Sequence, residues 1–141
     1  MALSADANYT RHGGAKSEGE FGYAPSAGVV IYRHALLGMT VGGTVQPIQT
    51  AGSVVFAGLA DRASGTVGQP VVQQFVIPSK GTYGIVVPTV TAANIGTYLN
   101  ANVYATDDST LTLTAGSNLL IGTLVGLDTA TGLTYVKLLG S

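Results

Sequence analysis

The chain has 141 residues, and only 9% of them are Asp, Glu, Lys or Arg, against about 25% in an ordinary soluble domain. Cysteine is absent, which excludes disulfides and thiolate metal sites, and a net charge of −1 gives no electrostatic case for nucleic acid or an anionic membrane. Mean hydropathy is high at +0.39, but apolar runs such as residues 27–32 fall far short of the ~20 residues of a spanning helix.

Residues 1–26 read as an extended arm preceding a domain over residues 27–141. The arm contains Gly13, Gly14, Gly19, Gly22 and Pro25 and few clustered aliphatics, so it has no core of its own. Its start has neither a basic region nor an apolar stretch, and no signal peptide is expected. Charges concentrate early, at Asp6, Arg11, Lys16, Glu18, Glu20 and Arg33, whereas residues 34–106 carry only Asp61, Arg62 and Lys80. Aromatics recur at Tyr9, Phe21 and Tyr23, with Tyr32 just beyond the arm. Arms that lie down on a partner keep such side chains; the alternative is a tail that touches nothing.

From residue 28 short β patterns alternate with turn residues. Strands are expected at residues 29–32, at 44–48 (interrupted by Pro47) and at 53–59. A polar connection over 61–65 leads to a strand at 71–77 that Pro78 ends. Ser79-Lys80-Gly81 reads as a tight turn into a return strand over 82–87. The segments 103–106 and 111–114 flank Asp107-Asp108 as a hairpin. Residues 118–127 form the next strand, and the turn 128–132 leads to a last one over 133–139. The one expected helix, 92–99, is short and weakened by Gly96. Many short strands with frequent turns indicate an all-β fold: a single β-sandwich, jelly roll or small barrel behind its extended N-terminal arm.

Little in the sequence points to catalysis. His12 lies in the glycine-rich arm, and His34 reads as an edge or loop residue; neither has a carboxylate at metal-ligand spacing. Asp107-Asp108 reads as a turn whose carboxylates accept backbone N–H groups. Glu18-Gly-Glu20 reads as solvated arm charge. Residues 13–17 lack the spacing of a phosphate loop, and there is no Gly-x-Ser-x-Gly elbow. Asn8-Tyr9-Thr10 is a glycosylation sequon only in a secreted chain. No enzyme activity, cofactor or metal is expected. A surface of roughly 6,800 Å² for this mass would be thinly covered by charge, as in a protein whose surface is meant to be covered by other protein.

The run from Gly96 through Val103-Tyr104-Ala-Thr-Asp107 to Thr114, followed by Ile121-Gly-Thr-Leu-Val-Gly126 and Val136-Lys-Leu-Leu139, resembles tailed-phage capsid decoration (cement) proteins. Ala57-Gly-Leu-Ala-Asp61 and Gly68-Gln-Pro-Val-Val-Gln extend the resemblance upstream, to about residues 40–139. It implies a jelly roll or small barrel that binds the outside of an expanded icosahedral head and clamps neighbouring major capsid proteins. The implied partners are the major capsid protein and further copies of this chain, as a homodimer or homotrimer. The implied location is the outer virion surface, after synthesis in the bacterial host cytoplasm. A phage tail or fibre domain, or a surface-adhesion β-domain, would share the low charge; a carbohydrate-binding module would want Trp, which is absent.

Tyr9, Arg11, Phe21, Tyr23, Tyr32 and Arg33 form the expected partner-contact set, because aromatics and Arg dominate interface energetics. An arm of 26 extended residues spans at most about 85–95 Å, and edge strands offer main-chain pairing to capsid or sister strands. The alternative is that Phe21 and Tyr32 cover the domain's own core, in which case deleting residues 1–26 leaves head binding intact.

Overall fold

The computed structural model describes residues 2–7, 9, 22–61, 76 and 78–140. Among these the fold is all-β, with two antiparallel sheets and one helical turn. The first sheet holds β1 (Leu36–Met39), β2 (Val45–Pro47), β3 (Val55–Ala60) and β4 (Pro78–Ser79) in the order β2-β1-β3-β4. The second holds β5 (Thr82–Gly84), β6 (Asn102–Ala105), β7 (Leu111–Thr112), β8 (Leu119–Leu127) and β9 (Thr134–Leu138) in the order β5-β9-β8-β6-β7. The turn α1 (Ile95–Tyr98) falls inside the expected helical span. No helix among the described residues is long and apolar enough to cross a membrane.

The main core lies between the sheets. It joins Leu36, Phe56 and Leu59 from the first to Val103, Ile121, Leu124, Val136 and Leu138 from the second. Phe56 and Leu59 are three apart, a spacing that strict strand alternation would send to opposite faces. A bulge resolves the conflict: Leu37 pairs with Gly58 and Gly38 with Phe56, leaving Ala57 as the extra residue. Gly58 permits it with φ of 143°. A Cβ there would also lie 2.8 Å from the Ser79 carbonyl oxygen, so β4 packs where a side chain would be.

The four-stranded sheet buries its other face as well. Ile31, Ala35, Leu37, Val45, Ala57, Ala60 and Val76 form a second core, with Leu3, Tyr23, Val29 and Met39 packed against it. Residues 23–26 close this sheet into a small barrel. Tyr23 and Val76 exchange both backbone hydrogen bonds at 2.9 Å beside β4. At the opposite edge the Val45 amide donates to the Ala24 carbonyl (3.0 Å), and the Ser26 amide to the Val45 carbonyl (2.8 Å). The barrel therefore begins near Tyr23, inside the span assigned to the arm.

Three expectations change. Residues 29–32 form no strand; Ile31 is buried in the second core, and the strand here is Leu36–Met39. Pro78 does not end a strand but pairs with Ala60 in β4. Ser79-Lys80-Gly81 does not make a hairpin, because β4 and β5 belong to different sheets and the chain crosses between them. The remaining turns are as expected: β6 pairs with β7, and β8 with β9. The expected strand 71–77 lies outside the described residues except for Val76, as does the connection after Asp61.

Gln46, 2% exposed, shapes the loop from β2 to β3. Its Nε2 lies 3.1 Å from the Thr50 carbonyl, 3.0 Å from the Ala51 carbonyl and 2.9 Å from Ser53 Oγ. Gln46→Leu fits the volume but removes the donor from three acceptors that are only partly buried, so it should cost about 1 kcal/mol. Urea denaturation measures that loss directly.

Candidate functional site

The expected contact residues separate in the structure. Arg11 and Phe21 lie outside the described residues. Tyr23 packs on the second core and Tyr9 against the main one. Tyr32 is half-buried, and Arg33 is exposed. Tyr9 and Tyr23 thus contribute to the chain's own packing.

Residues 2–7 and 9 lie along the body of the domain, held by four hydrogen bonds. The Leu3 amide donates to Asp108 Oδ1 (2.8 Å), and the Ala7 amide to the Arg33 carbonyl (3.0 Å). The Arg33 amide donates to Asp6 Oδ1 (2.8 Å), and the Tyr9 amide to His34 Nδ1 (2.9 Å). His34 is the expected loop residue, at φ of 62°. Its ring stacks on Tyr9 (centroids 5.9 Å apart, 8° between planes) and meets Tyr83 edge-on at 6.1 Å.

Asp107 and Asp108 form the expected turn but with opposite electrostatics. Burial pushes the Asp107 carboxyl up, but hydrogen bonds from the Ser109 and Thr110 amides (2.9 and 2.8 Å) outweigh it and hold the carboxyl below its ordinary value. Asp108 is 1% exposed, and burial, helped by the Asp107 charge, raises it despite the Leu3 amide. Its backbone is equally committed: its amide donates to Gln49 Oε1 (2.9 Å), and its carbonyl accepts from Leu36 (2.8 Å). Asp108 therefore ties the N-terminal segment, β1 and the loop after β2 to one turn. The Tyr9 hydroxyl is raised by burial and by both carboxylates.

One apolar surface lies on the outer face of the five-stranded sheet. Leu120 and Val125 on β8 and Leu139 just past β9 are exposed, with half-buried Tyr104 and Tyr135 on the same face. Leu120 pairs directly with Tyr104, and Lys137 is the one charge among the outward positions of β8 and β9. A solvated sheet face normally carries polar residues. The signal was present in residues 118–127, where apolar residues occupy both parities of the strand, but an inward-only reading hides it. Val41, Val54 and Val55 are a second exposed apolar group, at the β1–β2 turn and the start of β3.

Among the described residues, no group of three or more His, Cys, Asp or Glu side chains is gathered to hold a metal ion. No protein-family model, curated protein or solved structure matches this chain.

Proposed function

We propose that this protein is a structural coat component that binds the outside of an expanded icosahedral phage head and clamps neighbouring major capsid proteins, as the resemblance in its β segments implies. The observation that carries this reading is the outer face of the five-stranded sheet. Leu120, Val125 and Leu139 lie exposed there in a chain with six basic and seven acidic residues over 7377 Å² of surface. Large apolar side chains exposed on a sheet face are a feature of protein contact surfaces. Residues 23–26 bridge both edges of the smaller sheet, which favours a contact through a sheet face over strands added at those edges. Binding that favours the expanded lattice would stabilise it by mass action, and many copies would make a modest affinity per copy sufficient.

The test mixes the purified protein with unexpanded and expanded heads that lack it, sediments them, and quantifies what pellets. Saturable binding to expanded heads alone, with increased heat resistance, supports the role. Absence of binding to either form removes it and favours a tail, fibre or adhesion domain. The contact face has its own prediction. Leu120→Lys with Val125→Lys should leave the melting temperature within a few degrees of wild type, since both side chains are exposed, while weakening head binding by at least about tenfold. Binding unchanged in that variant would place the contact elsewhere on the molecule.

A further inference from the structure

We propose that His34 is an acid-sensitive latch for the N-terminal segment: a second proton on its imidazole releases residues 2–9 from the body of the domain. The argument starts from which atom does the work. His34 Nδ1 accepts a hydrogen bond from the Tyr9 amide at 2.9 Å, so that nitrogen must carry a free lone pair and the ring proton must sit on Nε2. Protonation converts the acceptor into a donor facing a donor. The contact then changes from attractive to repulsive at the point where the ring also stacks on Tyr9.

The groups around the ring fix the direction of the effect. His34 is flanked by the Arg33 guanidinium in its own turn, by Asp6 on the N-terminal segment and by the Tyr9 and Tyr83 rings, with Asp107 and Asp108 beyond Tyr9. Burial, and then Arg33, hold the imidazole below its ordinary value, with Asp6 opposing. A lowered histidine contributes its full stabilisation above the unfolded value of about 6.5 and loses it as pH falls through the folded value. Asp108 has the opposite sign: its raised carboxyl favours the folded state below its ordinary range and loses that contribution as pH rises. Asp107, held low, weakens the fold only on acidification below the ordinary carboxylate range. Of these shifted groups, only His34 has the sign and the window for release in mild acid.

The test follows backbone amide shifts and ¹⁵N relaxation of residues 3–9 between about pH 7.5 and about pH 5, together with the imidazole ¹⁵N shifts of His34. If only the released form takes the proton, the release equilibrium should rise up to about 30-fold over this range. Asn tolerates the left-handed backbone at this position and offers an Oδ1 acceptor that never titrates. His34→Asn should therefore keep residues 3–9 ordered at both pH values, while His12→Asn should behave as wild type. Residues 3–9 equally ordered at both pH values in wild type, or released in acid as readily in His34→Asn, would overturn the latch. If His34→Asn is released throughout, the wild-type midpoint decides: coincidence with the His34 titration supports the latch, and separation from it overturns it.

Discussion

Deleting residues 1–26 should unfold the smaller sheet, not merely shorten the chain. The deletion removes the stave that closes the barrel. The Val45 and Val76 amides, now donating to Ala24 and Tyr23, lose their acceptors, and the second core loses Tyr23 and Leu3. Unsatisfied buried donors cost about 1–3 kcal/mol each, and the lost apolar cover adds a similar amount. The sum is on the order of 5 kcal/mol or more, comparable with the whole stability of a small domain. Calorimetry should show a loss of cooperative melting, whereas deleting residues 1–9 alone should lower the midpoint by a few degrees. A full cooperative transition in the 1–26 deletion would mean that the stave is dispensable. Loss of head binding on deleting residues 1–26 would therefore not identify a contact, and point substitutions must carry that test.

The second large effect is expected at Gly122, in the middle of β8. A Cβ added there would lie 2.1 Å from the Lys137 carbonyl oxygen, closer than real Cβ contacts come. The obstructing atom is backbone of β9, paired with β8 from Gly122–Leu138 to Leu127–Thr134, so relief requires separating the two strands. Gly122→Ala should cost about 3 kcal/mol or more. Gly96→Ala is the matched control: nothing lies within 4 Å of an added Cβ in α1, and helix propensity favours Ala by up to about 1 kcal/mol. Chemical denaturation of the pair separates a steric requirement for glycine from a general one. Equal stabilities would remove the steric account of Gly122.

Local turn chemistry made much of this fold readable. Asp107 accepts from Ser109 and Thr110, and Asp128 Oδ1 accepts from the Ala130 amide (2.9 Å), so the β6–β7 and β8–β9 turns are written into their own residues. β1 was not readable. Leu36-Leu-Gly-Met39 lacks β-branched residues, and it is a strand because β2 and β3 flank it. The crossing between Ser79 and Thr82 was hidden for a related reason: a turn sequence states that the chain bends, not which sheet it joins. The arm's aromatics were read as outward contacts, but a Tyr that packs on a neighbour and one that packs on its own core have the same local sequence. Both faces of β8 are apolar, and only the placement of the second sheet distinguishes the buried face from the exposed one.

The position of β9 governs when this protein can fold. β9 lies between β5 and β8, so β5 has no strand partner in its sheet until a segment about 50 residues further along has been made. At typical translation speeds that interval is about 3–10 s. The N-terminal segment waits about twice as long, since its Leu3 amide is received by Asp108, 105 residues further along. Before β9 is made the chain can form the smaller barrel and the β8-β6-β7 part of the larger sheet, and the sandwich forms only once β9 has left the ribosome. Until then the sheet lacks the strand that joins β5 to β8, and the nascent chain presents unpaired apolar strands to whatever chaperones attend it.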